Sequence, residues 1–240
     1  MTLLEVEGLT KSFGGIKAMQ GVSFSVDEGQ ILGVIGPNGA GKTTLFNLIT
    51  GFLSPDRGVV KLAGQSITGM RPDLIARRGL ARTFQISEPM NALTVEEAVR
   101  ISAYCRSGIN RREAFTVAAE VMERVGLLDN SQKLTSSLTS AEIHRLEFAR
   151  ALAAGPRMIL LDELAAGLWP EEQAELVRLI TEASRRDGIA FLIVEHKLSF
   201  LQSVADSSIV INFGQKIAEG PPAEVLRNSE VEKAYLGSKE

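Results

Sequence analysis

One cysteine, Cys105, and two histidines are all that the 240 residues offer of those two metal-binding residue types. That scarcity excludes an internal disulfide framework and a histidine-rich metal site. Alone, Cys105 is expected to be a small buried or half-buried residue rather than a nucleophile. Long apolar runs are missing as well. The longest, around Ile31–Ile35 and Ile189–Val194, are of strand length, well short of the roughly 18 residues of a membrane span. Met1-Thr-Leu-Leu-Glu opens without a basic segment followed by an apolar one, so no secretory signal is expected and the chain reads as soluble and cytosolic. Nor is there an excess of charge. With 26 basic and 29 acidic side chains the net charge is −3, which gives no whole-molecule attraction to nucleic acid or anionic lipid. The local cluster Arg71, Arg77, Arg78 and Arg82 reads as a solvated helix face.

What is present is enough apolar side chain, 45%, to fill the core of one or two domains. Leu4 and Val6, then Val22, Phe24 and Val26, recur at period two on either side of Phe13-Gly-Gly15, predicting two strands and a turn. Gln30-Ile-Leu-Gly-Val-Ile35 is denser, as a strand covered on both faces requires. Lys42 to Gly51 reads as a helix, and Pro55-Asp-Arg-Gly58 as a turn into the strand Val59–Leu62. Between Thr94 and Leu138 the β-pattern disappears, and Phe115, Ala118, Met122 and Val125 form a helical stripe that suits core packing. Strand signals return at Met158–Leu161 and Ile189–Val194, with a helix from Pro170 between them. A hairpin over Ile209–Ala218 has its turn expected at Gly214-Gln215. Strand–loop–helix units on both sides of a helical insertion argue an α/β fold.

Gly36-Pro37-Asn38-Gly39-Ala40-Gly41-Lys42-Thr43 fits G-x-x-x-x-G-K-[ST] without a gap, after a buried strand and before a helix. Glycines let the backbone curl until its N–H groups face phosphate oxygens, and the following helix adds its positive end. Lys42 supplies a point charge to the β- and γ-phosphates, and the Thr43 hydroxyl can ligate Mg²⁺. The loop from Gly36 to Thr44 therefore implies a nucleoside-triphosphate site. Met158-Ile-Leu-Leu-Asp162-Glu163 is an apolar strand ending in two carboxylates, as a Walker B strand does. In that pattern Asp162 stands beside Mg²⁺ and Glu163 polarises the attacking water.

With those motifs in place, the chain resembles the ATP-binding subunit of an ABC transporter along essentially its whole length. The resemblance implies a P-loop NTPase core with an N-terminal antiparallel β-subdomain, formed by residues 1–88 and 154–240, and an inserted helical subdomain over 89–153. Phe13 falls where the family keeps a ring that stacks on adenine. Gln85, in Arg82-Thr-Phe-Gln, matches the glutamine that reaches Mg²⁺ and links the site to the membrane subunit. His196, in Ile193-Val-Glu-His, matches the switch histidine that contacts the γ-phosphate. Within the superfamily, Ser12-Phe-Gly-Gly15, Ala81-Arg-Thr-Phe-Gln85, Ala165-Ala-Gly-Leu168 and Ala234-Tyr-Leu-Gly237 are most similar to the branched-chain amino-acid importers. Those importers pair two ATP subunits with two permeases and an external solute-binding protein. They bind MgATP head to tail between two copies, at the inner face of the cell membrane. The segment after the glutamine, here Ile86–Met90, would receive the permease.

The signature loop departs from the usual Leu-Ser-Gly-Gly-Gln and reads Leu138-Thr139-Ser140-Ala141-Glu142. In the family this loop completes the partner's site, so Thr139, Ser140 and Ala141 would act in trans. If Ala141 needs φ > 0 or a close phosphate approach, it costs about 1–2 kcal/mol; inside the first helical turn it costs little. Trp169 stands where an aspartate or asparagine is frequent, and reads as an exposed interface aromatic. These departures keep two readings open. One is a hydrolysing subunit that energises amino-acid import, as a homodimer or heterodimer. The other is a low-turnover nucleotide-binding partner in a heterodimer with a better loop. A cassette acting on DNA or ribosomes is disfavoured, for no second cassette or long coiled insertion is present, and no nucleic-acid partner is expected.

Overall fold

Period-two alternation in the first thirty residues becomes one long antiparallel hairpin. Its arms are β1 (Thr2–Phe13) and β2 (Ile16–Asp27), turning at Gly14-Gly15, with Leu4, Val6, Val22, Phe24 and Val26 buried. The structure, a computed structural model, describes residues 1–83, 90, 92–106 and 108–236. β3 (Ile31–Ile35) leads through the glycine loop into α1 (Lys42–Ile49). β4 (Arg57–Leu62) and β5 (Gln65–Ser66) then return to the hairpin, giving a four-stranded antiparallel sheet in the order β2-β1-β4-β5. α2 (Pro72–Arg77) carries the exposed Arg77, followed by the exposed Arg78, and is preceded by the exposed Arg71; these three are solvated as expected. Arg82 is not. It ends β6 (Leu80–Arg82) and is drawn inward by a carboxylate described below.

The middle of the chain forms α3 (Val95–Ala103), α4 (Arg111–Arg124) and α5 (Ser140–Ala153). Each opens on a reciprocal cap: Thr94 with Glu97, Asn110 with Glu113, and Thr139 with Glu142. Such a box satisfies two otherwise orphaned N–H groups at the start of a helix. Along α4 the inward positions are Ala114, Ala118 and Met122, whereas Phe115 is exposed. Ala118, Met122 and Val125 are buried as expected, and only the N-terminal position of the stripe differs, Ala114 facing inward in place of Phe115. Cys105 is exposed, contrary to expectation, because α3 ends before it and the chain turns outward there.

β7 (Met158–Asp162), α6 (Pro170–Asp187), β8 (Ala190–Val194), α7 (Leu198–Val204), β9 (Ser207–Asn212) and β10 (Gln215–Gly220) follow, then α8 (Pro222–Val225) and α9 (Ser229–Leu236). The second sheet has the order β10-β9-β3-β8-β7-β6, parallel except at the β9–β10 hairpin. Its strands explain their continuous apolar runs. Ile31, Ile35, Ile159, Leu161, Phe191 and Ile193 face the helices, while Leu32, Val34, Leu160, Leu192 and Val194 face α1 and the smaller sheet. Both faces are covered, so the interior positions of β3, β7 and β8 are apolar and the buried Asp162 stands only at the end of β7. The helices α3 to α5 share the first of these cores, with Phe148 of α5 stacked on Phe191 at 6.3 Å. Among the described residues no helix is long and apolar enough to cross a membrane.

The β9–β10 turn falls on Phe213-Gly214, one residue earlier than expected. Both have positive φ, 44° and 75°, which is the backbone of a tight hairpin with the native strand twist. Phe213 is held in that unfavourable conformation by the Gln20 side chain, whose amide donates to its carbonyl at 2.7 Å.

Candidate functional site

The glycine loop crosses the end of β3, where two glycines are required for distinct reasons. A Cβ on Gly36 would stand 2.2 Å from the Ile211 carbonyl oxygen. Gly41 has φ 108°, and a Cβ there would meet the Ala18 carbonyl at 2.6 Å. The loop is thus pressed against β9 and β2 and cannot relax outward. Lys42 closes it from within: its ammonium donates to the carbonyls of Gly36 at 2.6 Å and Pro37 at 3.1 Å. Burial lowers the Lys42 pKa, while Glu163 and Asp162 act in the opposite direction and hold the charge.

A cavity of about 480 Å³ lies over this loop, lined among others by Asn38, Lys42, Thr43, Glu163, His196 and Phe213. It brings together residues from opposite ends of the sequence. Gly39, Ala40, Gly41 and Thr44 also line it. Glu163 has φ 53°, a left-handed conformation that a long side chain adopts at a cost of about 1–2 kcal/mol. Its N–H is fixed to the Val194 carbonyl at 2.9 Å, and its Oε1 lies 2.9 Å from Nε2 of His196. The carboxylate lines the cavity beside the His196 imidazole.

Asp162, one residue back, is buried and paired with Arg82, whose Nη2 donates to Oδ2 at 2.8 Å. The same guanidinium donates to Asn47 Oδ1 at 2.6 Å and lies over the Phe46 ring at 5.5 Å. This replaces the expected solvated face for Arg82: a buried carboxylate requires a counter-charge, and β6 runs beside β7 so that Arg82 supplies it.

Several expected residues stand elsewhere. Phe13, at the tip of β1, is not part of the cavity lining. Its ring lies 5.6 Å from the Lys11 ammonium. The apolar side chains of the lining include Ile16 and Phe213, both exposed, which the sequence reading did not single out. Gln85, the segment 86–89 and Gly237 lie outside the described residues. Thr139, Ser140 and Ala141 form the cap and start of α5 and are not among the residues lining the cavity. Thr139 is the cap residue and Ala141 is inside the first turn, with no left-handed backbone. Glu142 accepts from the Thr139 N–H at 2.8 Å, which chiefly depresses its carboxyl pKa, and Asn130 donates to it at 2.6 Å. The pattern Thr139-x-x-Glu142 is itself a cap signal that sequence reading could have used. Trp169 is exposed ahead of α6, with its N–H given to Glu172 at 2.8 Å.

The residues fit a nucleotide with its cation. A backbone cradle that a Cβ would fill is joined by a lysine, a hydroxyl and a carboxylate. Among the described residues no three His, Cys, Asp or Glu side chains gather into a metal site of their own. Mg²⁺, which retains water and takes phosphate oxygens, needs only one or two protein ligands.

Comparison with known proteins agrees with this geometry. Residues 19–166 match the ABC transporter family, and residues 215–240 match the branched-chain amino acid ATP-binding cassette transporter family. The chain is 38% identical to the high-affinity branched-chain amino acid transport ATP-binding protein BraF of Pseudomonas aeruginosa, over 98% of both chains. It is 36% identical to LivG of Escherichia coli, of the same description, again over 98% of both. Its fold matches the ADP conformation of MJ1267, an ATP-binding cassette of an ABC transporter, with a TM-score of 0.90 and 33% identity, covering 99% of this chain and 100% of that one.

Proposed function

The chain belongs to the ABC transporter family of ATP-binding cassettes, and from that premise we propose that it hydrolyses MgATP to energise solute import through separate permease subunits. The solute class that its relatives' names support is branched-chain amino acids. The observation that carries the reading is the meeting of Lys42, Thr43, strained Glu163 and His196 around one cavity.

Each residue then has a task. The loop N–H groups from Gly36 to Thr44 and the Lys42 ammonium bind the phosphates and neutralise charge on the transferring group. Thr43 and Asp162 would hold Mg²⁺, with Gln85 assigned to it by family resemblance; when bound, the ion draws charge from the β- and γ-phosphate oxygens. Glu163 orients the attacking water and accepts its proton. His196, hydrogen-bonded to Glu163, reaches the γ-phosphate side of the cavity. Phe13 remains the family's candidate for the adenine ring, with Ile16 and Phe213 on the cavity wall.

A second ATP-binding subunit, identical or related, would contribute the N-terminus of α5 in trans. With Thr139 as the cap, Ser140 and Ala141 there present N–H groups and a positive helix end suited to the γ-phosphate. Ala141 has no left-handed backbone, so the physical ground for a low-turnover subunit is weakened. The permease is assigned to a second cavity, of about 280 Å³, lined by Phe52, Ile75, Cys105, Glu147 and Ala151 beside β6. Binding there would hold the chain peripherally at the inner face of the membrane.

Phosphate release from MgATP, followed as protein concentration rises, tests this reading, with Glu163→Gln as the blank. The rate per subunit should climb with concentration. Glu163→Gln should keep ATP binding and accumulate as an ATP-held dimer. Turnover by that variant at the wild-type rate would remove the water-orienting role.

A further inference from the structure

Glu195 stands immediately before His196 at the end of β8, and its carboxylate is buried. No step above uses it. Its Oε1 accepts the backbone N–H of Ala165 at 2.7 Å, and the carboxylate also accepts the backbone N–H of His196. The two donors belong to different loops. Ala165 lies two residues beyond Glu163, in the loop that leads to Trp169 and α6; His196 begins the loop that leads to α7. These two loops place the groups that meet in the cavity, Glu163 and His196, at 2.9 Å.

We propose that Glu195 is a positioning residue that ties the loop after Glu163 to the loop of His196, so that carboxylate and imidazole meet in register. The geometry demands such a tie. Glu163 holds a left-handed backbone, which persists only where its surroundings over-determine it. Its N–H is fixed by Val194 on β8, and the chain two residues later is fixed by Glu195, also following β8. The strained residue is therefore clamped on both sides by the strand that ends at His196. Without the second clamp, the turn in which Ala166 N–H reaches the Glu163 carbonyl at 3.1 Å would be free to relax and carry the side chain away. Glu195 is not among the residues lining the cavity; it acts through its neighbours. Burial raises its carboxyl pKa to about 7, and the two N–H donors work against that rise. An amide should serve as well, for only the acceptor matters.

The inference rests on the reading of Glu163 and His196 as the reacting pair, and the test separates the two. Glu195→Gln keeps an acceptor; Glu195→Met fills similar volume without one, avoiding a cavity that would unfold the chain. Three readouts apply to the full-length chain: ATP affinity by competition with a fluorescent ATP analogue, single-turnover phosphate release, and ring NMR signals of the two histidines, His144 and His196. Glu195→Met should bind ATP within about twofold of wild type and lose turnover on the order of 100-fold, the effect of misplacing a group by about an ångström. Its His196 signal should move while His144 stays. Glu195→Gln should restore both turnover and signal.

An unmoved His196 signal in Glu195→Met overturns the tie, whatever the turnover. A parallel loss of affinity and turnover, or a Gln variant as impaired as Met, overturns it too. A His196 signal that moves in Glu195→Met, with no phosphate release even by the wild-type protein, keeps the tie and removes the reading beneath it.

Discussion

Arg82 and Asp162 show how one buried charge decides the fate of another. The pair is bonded at 2.8 Å with both side chains nearly removed from water. Deleting one member leaves its partner uncompensated, a cost of about 3–5 kcal/mol. Arg82→Met should therefore lower stability by that order in urea unfolding. Adding Asp162→Asn should recover part of the loss, because the stranded charge is then gone. Additive losses would mean the two residues do not act on each other. Glu195 gives a second prediction at this scale, in the pH dependence of stability. Its folded pKa, about 7, lies above the ordinary value of 4.5, so the folded chain holds this proton more tightly than the unfolded one. Stability from this group is complete below about pH 4.5, falls as pH rises through about 7, and is level above. Asp162 and Glu163 face it and add to the rise, and the N–H groups of Ala165 and His196 oppose it. Relative to wild type, Glu195→Gln should gain stability across that window, by up to about 3 kcal/mol, in melts taken from about pH 5 to 8.

Elements settle what the signature loop can do. Thr139 and Glu142 form the box that starts α5, which leaves Ala141 as an ordinary helical residue of the first turn. A glycine there has nothing to relieve. Ala141→Gly should leave turnover within about threefold and cost no more than about 1 kcal/mol in thermal unfolding, since glycine is the poorer helix former. A large gain in turnover would show that alanine obstructs the partner's phosphate. The same device, a side-chain oxygen at the cap and a glutamate three residues on, opens α3 and α4. Three consecutive helices with strong starts explain how a stretch without β-pattern holds a fixed shape beside the sheet.

At the scale of the whole molecule, the cavity beside β6 and the cavity over the glycine loop have separate linings. Arg82 joins them: it lines the cavity assigned to the permease and binds the carboxylate of Asp162, which directly precedes Glu163 of the other lining. Cys105, the one cysteine of the chain, is exposed in that same cavity. A bulky maleimide on Cys105 should block assembly with the permease subunits and leave ATP affinity unchanged. Assembly in turn should slow the labelling of Cys105 by tenfold or more. Equal labelling in free and assembled protein would place the permease elsewhere.

The glycine loop, the carboxylates after β7 and the alternation of strands were legible in the sequence because each depends on residues a few positions apart. Backbone curvature, strand period and helix caps are local physics, and local order of residues determines them. Arg82, Cys105, Phe115 and Glu195 were not legible in this way. Whether an arginine is solvated or buried depends on a carboxylate 80 residues away, and whether a strand-end glutamate is idle or a clamp depends on an N–H 30 residues away. The sequence by itself determined that a phosphate loop and a pair of carboxylates exist. Only the tertiary structure decided that strained Glu163 meets His196, that Asp162 is neutralised from β6, and that Phe213 rather than Phe13 borders the cavity, because these contacts arise from strand order in the parallel sheet.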